Sequence, residues 1–136
     1  MKLITVIFCL MFLNISFAAD HEGGFHTANF CTTSQTCAHL RFEKYPTTAE
    51  MSEFLIHVLP SKDSNTIESL TAKLWMDMGH GHGHGSAPLA ITVGEEENHF
   101  AVTNAWFVMA GTWQVIVNFK ENGTDQQIII PVDIKE

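Results

Sequence analysis

From Ala38 onward, apolar and polar residues alternate in short runs that stop at turn residues, a period of two that predicts strands. Ala38, Leu40 and Phe42 alternate with His39, Arg41 and Glu43 before Pro46, and Phe54, Ile56 and Val58 form a second inward row that ends at Pro60. Leu70, Ala72, Leu74 and Met76 make a third row, and Leu89, Ile91 and Val93 a fourth that stops at Gly94 and the acidic turn Glu95-Glu96-Glu97. Trp113, Val115, Val117 and Phe119 run into Asn122-Gly123, a strong hairpin signal. Beyond it Ile128, Ile130, Val132 and Ile134 supply the matching row, with Pro131 suited to an edge strand or a bulge. About seven strands in about 100 residues predict an all-β, immunoglobulin-like β-sandwich of antiparallel strands, with a closed barrel as the alternative.

The start of the chain reads differently. Lys2 precedes an unbroken apolar stretch from Leu3 to Leu13, then the small-residue segment Ser16-Phe17-Ala18-Ala19 and polar Asp20-His21-Glu22. This is the pattern of a secretory signal peptide over 1–18, cut after Ala18, where Ser16 and Ala18 supply the small residues. The apolar run is too short to span a bilayer as a helix, so no membrane span is expected in the mature chain, and a periplasmic or secreted location follows. Cleavage leaves about 118 residues, one domain's worth. A flexible His-containing arm over 19–36 and a metal-binding sandwich over 37–136 are expected. Cys9 leaves with the leader, and Cys31 and Cys37 remain for an oxidising compartment. A disulfide is their simpler reading, worth about 2 kcal/mol for so short a loop, and a thiolate metal pair is the alternative.

The formal charge of −8 argues against nucleic acid and anionic membranes as partners and is compatible with cations. Placement sharpens that hint. In Trp75-Met76-Asp77-Met78-Gly79-His80-Gly81-His82-Gly83-His84-Gly85, every second residue from 76 to 84 can coordinate a metal. Extended backbone would put all five on one face, and the glycines would let the chain curl around an ion. Thioethers select Cu(I), whereas imidazoles accept Cu(II), zinc or nickel, so the mixture favours copper in either oxidation state. Against this, Met76 continues the inward row and has an equally good reading as core, and the His-Gly repeat can be read as a solvated hairpin tip.

A second motif is Phe107-Val108-Met109-Ala110-Gly111-Thr112-Trp113, where Phe107 and Trp113 read as core and Met109 as a further ligand candidate. A Met-x-Met segment at a strand end, about thirty residues before Phe-x-Met-x-Gly-x-Trp and a terminal strand pair, resembles the YtkA-like domain family, related to the FixH-like proteins. The resemblance covers Leu70 to Ile134. It implies an exported immunoglobulin-like copper carrier or chaperone, with Met76, Met78, His80 and Met109 as ligand positions. That family commonly has a proline within its first Met motif, where this chain has Asp77, and the triple Gly-His extension is unusual.

A mature start at Ala19-Asp20-His21 would offer an amine, two peptide nitrogens and the His21 imidazole, a square-planar set for Cu(II) or Ni(II). His39 and His57 read as surface residues on strand faces, and His99 follows an acidic turn. No nucleophile with a base and no phosphate-cradling loop is visible, so the chain reads as a non-enzyme. The expected function is an extracytoplasmic copper carrier, chaperone or buffer that exchanges its ion with a copper-donating or copper-accepting protein. A zinc or nickel buffer, or a structural or adhesive module with incidental metal binding, is the alternative.

Overall fold

The computed structural model describes residues 24–63 and 67–136, so the expected leader and His21 lie outside the described residues. Ten strands follow in chain order: β1 (Phe25–His26), β2 (Phe30–Cys31), β3 (Cys37–Phe42), β4 (Ser52–Leu59), β5 (Ile67–Gly79), β6 (His82–Gly85), β7 (Ala90–Val93), β8 (His99–Ala105), β9 (Gly111–Glu121) and β10 (Thr124–Ile134). They form two antiparallel sheets, one ordered β1-β3-β4-β8-β7 with β2 also on β3, the other ordered β10-β9-β5-β6. Both sheets keep open edges, which excludes the barrel alternative and leaves an immunoglobulin-like sandwich. No helix among the described residues is long and apolar enough to cross a membrane.

The alternating rows explain the assembly. Ala38, Leu40, Phe42, Phe54, Ile56 and Val58 point inward from one sheet and meet Leu74, Trp113, Val115, Val117, Phe119, Ile128, Ile130, Val132 and Ile134 from the other. Each large side chain buried this way stabilises the fold by about 1.5–3 kcal/mol before entropy is counted. The β9–β10 hairpin turns at Asn122 and Gly123, both with positive φ (49° and 79°), as that dipeptide predicts. Pro131 sits on edge strand β10, where its missing N–H costs no ladder bond.

Two expectations are corrected. The segment read as a flexible arm contributes β1 and β2, both paired with β3, and Phe25 packs against Phe42 and Tyr45 at ring-centroid distances of 5.9 and 5.0 Å. Its two aromatic residues find apolar partners, which the local excess of Gly, His and Asn concealed. Val93, assigned to an inward row, is 79% exposed, because β7 is an edge strand whose end the second sheet does not cover.

The two ends of the sandwich differ in construction. At one end Cys31 and Cys37, cross-strand partners on β2 and β3, form a disulfide. Beside them the buried carboxylate of Glu121 accepts hydrogen bonds from Ser34 Oγ (2.8 Å) and Thr36 Oγ1, and Thr36 Oγ1 in turn accepts from the Ser61 N–H (2.9 Å). These bonds tie the loop before β3 to the far sheet. The other end, the length of β9 away or roughly 33 Å for its eleven residues, carries Gly111 and the β5–β6 hairpin.

Candidate metal centre

The Met/His run folds back on itself as the β5–β6 hairpin. Gly79, His80 and Gly81 take successive positive φ values of 81°, 53° and 78°, and the Gly79 N–H donates to Asp77 Oδ1 at 2.8 Å. Asp77 therefore stabilises the turn. The expectation of five ligands in one extended row is corrected by this turn and by the register shift between Asp77 and Gly79. What forms instead is a cross-strand arrangement, with Met76 opposite His84 and Gly79 opposite His82.

Residues directly opposite on antiparallel strands share a face, so Met76 and His84 point to the same side of the hairpin. Met76 is 7% exposed and joins the core, whereas Met78, two residues on, is 54% exposed. Gly111 makes room for the Met76 thioether, since a Cβ at that position would stand 2.5 Å from Met76 Cε and 4.0 Å from Sδ. One glycine of the His-Gly repeat has a packing role as well. Trp75 lies across Gly83, where a Cβ would approach its ring to 2.1 Å.

Met109 lies in the loop between β8 and β9, half-buried against the core and two residues before Gly111. Its carbonyl accepts the Trp113 indole N–H at 2.9 Å, which fastens the loop to a buried side chain, and Phe107 meets Trp113 edge-on at 5.6 Å. The core reading of Phe107 and Trp113 holds, at 1% and 0% exposure. His80, His82 and His84 are exposed. Among the described residues no three His, Cys, Asp or Glu side chains stand together as a metal ion would need, and thioethers lie outside that set. Cys31 and Cys37 are joined to each other, so the thiolate alternative does not apply.

Sequence reasoning passed over a second group of imidazoles. His39 on β3 pairs with His57 on β4, and His57 pairs with His99 on β8, so three histidines form one row across adjacent strands. Their neighbours in sequence, Ala38, Leu40, Ile56 and Val58, are buried, which puts the row on the outer face of this sheet. Ring centroids stand 4.9 Å apart for His39 and His57, edge to face, and 3.9 Å for His57 and His99, stacked; His26 on β1 extends the row at 6.0 Å from His39.

The chemistry of that row is unusual for a surface. His39 Nδ1 is buried without a hydrogen-bond partner among the described residues. Burial holds the His39 imidazole below the ordinary histidine range, and the like charge of His26 and His99 adds to the effect. His57 is lowered in the same way by burial, then by His99 and His39, with Glu96 opposing. His99 Nδ1 lies 3.0 Å from the Glu97 carbonyl, and its Nε2 lies 3.6 Å from Glu96 Oε2. Outward parity of His39 and His57 was legible in the sequence, but the register that aligns them with His99 was not.

No family model matches the chain, and neither the curated proteins nor the solved structures yield a match.

Proposed function

We propose that the protein is an extracytoplasmic copper carrier, chaperone or buffer, holding Cu(I) between the thioethers and imidazoles of the β5–β6 hairpin and passing it on by ligand exchange. The observation that carries this reading is the cross-strand pairing of Met76 with His84, beside exposed Met78 on the same strand end. A soft thioether and an imidazole on one face are a donor pair suited to copper, and Met78, His80 and His82 lie on the few residues of the tip within reach of it. Met109, fixed by the Trp113 hydrogen bond next to Gly111, is the further thioether at this end.

The division between buried Met76 and exposed Met78 suits transfer. A buried donor holds the ion while exposed donors let an acceptor protein exchange ligands one at a time. The glycines at 79 and 81 give the tip the conformations needed to close on an ion, and a Cβ built at either position would meet nothing within 4 Å. The net charge of −8 favours cation capture. The leader-like start and the disulfide fit a periplasmic or secreted location.

The test is competition for Cu(I) against a chromophoric chelator, beside a zinc titration. Replacing Met76 and Met78 together with Leu is expected to weaken Cu(I) binding and leave zinc binding nearly unchanged. Equal loss of both metals, or loss only when His80, His82 and His84 become Asn, would turn the reading into a zinc or nickel buffer. Unchanged Cu(I) binding in all variants would leave a structural module.

A further inference from the structure

We propose that His39, His57 and His99, with His26 at the rim, form a second metal site on the outer face of the first sheet, specific for a borderline divalent cation such as zinc. This site is independent of the copper hairpin. It draws on different strands and lies at the disulfide end, with His39 two residues from Cys37.

Geometry is the first support. Two imidazoles bound to one ion at about 2.0–2.1 Å place their ring centroids roughly 4.5–5.2 Å apart, from a right angle to a tetrahedral one. His39 and His57 stand at 4.9 Å with their planes at 79°, inside that range. His57 and His99 are stacked at 3.9 Å, so their nitrogens run side by side without converging. Among the described residues no three donors converge as the rings stand, so His39 and His57 are the pair placed for one ion, and His99 joins them only by turning out of the stack about its side-chain bonds.

Proton chemistry is the second support. A carbonyl only accepts, so in the contact of His99 Nδ1 with the Glu97 oxygen at 3.0 Å the ring donates from Nδ1 and turns Nε2 toward Glu96. That is the way outer-shell carbonyls orient metal-binding histidines. Glu96, 3.6 Å from the same Nε2, adds negative charge or a carboxylate ligand. His39 contributes a desolvated ring nitrogen that no group among the described residues satisfies, an arrangement that costs stability unless something else engages the ring. The donors are nitrogen and oxygen without sulfur, which suits zinc or Cu(II) and disfavours Cu(I).

The experiment titrates zinc into the full chain with His80, His82 and His84 changed to Asn, so that the hairpin cannot contribute. One zinc equivalent is expected to remain, and adding His57→Gln or His99→Gln should lower its affinity by roughly tenfold to a hundredfold. Loss of all zinc binding with the hairpin histidines, or no effect of either Gln substitution, would overturn the site. Should a Gln variant fail to fold, ring nitrogen resonances of the hairpin variant give the answer. Zinc-dependent shifts at His39, His57 and His99 support the site, and their absence ends it. Cu(I) competition reads only the thioether hairpin, so failure there leaves this result untouched.

Discussion

The two histidine groups were assembled in opposite ways. His80, His82 and His84 are neighbours in sequence, exposed on a hairpin whose tip is built from left-handed residues. His39, His57 and His99 come from three strands spread over sixty residues of chain and meet only because β3, β4 and β8 pair in one register. The first group is conspicuous in sequence and exposed, the second inconspicuous, half-buried and aligned by the sheet. A repeat in sequence thus marks where donors are concentrated, while strand register decides where they are held.

Substitutions that separate frame from donors give the largest effects. Met76→Ala removes a core side chain, and it should destabilise the fold by about 2–5 kcal/mol as well as weaken Cu(I) binding. Chemical denaturation beside Cu(I) competition would check both. Replacing Cys31 and Cys37 with Ser should cost about 2 kcal/mol. Because the disulfide lies beside His39, that change should also lower zinc affinity at the histidine row while Cu(I) binding at the distant hairpin stays as it was. Parallel loss of both metals would show the two regions to be coupled.

Met78→Ala sharpens the contrast from the other side. An exposed side chain of this kind should change stability by no more than about 0.5 kcal/mol, yet Cu(I) affinity should fall. The smallest effect concerns pH. His39 and His57 are held below their ordinary value of 6.5, by burial first and then by neighbouring imidazoles. The unfolded chain therefore takes up protons first as the pH falls through 6.5, so the metal-free protein should lose stability below that value and be unaffected above it. Urea midpoints measured across this interval in the presence of a chelator would show it, and His39→Gln should flatten the slope.

Much of the architecture was readable because burial imposes a period of two on every strand that faces the core. The rows at 38–42, 54–58, 113–119 and 128–134 are buried as their alternation predicts, and the Asn122-Gly123 turn and Pro131 edge follow from backbone chemistry local to those residues. Alternation failed at Val93, where parity without a covering layer buries nothing. It was silent on residues 25–31, whose two-residue strands gain their pairing from β3 and are too short to show alternation.

The candidate chemistry divides along the same line. Local sequence determined that Met76, Met78, His80, His82 and His84 would sit close together, because five donors within nine residues cannot separate far. Tertiary structure alone decided that Met76 is buried against Gly111 opposite His84, and that His39, His57 and His99 form a row. Both depend on which strand pairs with which and in what register, and register is set by the sum of contacts over whole sheets, which no short stretch of sequence contains.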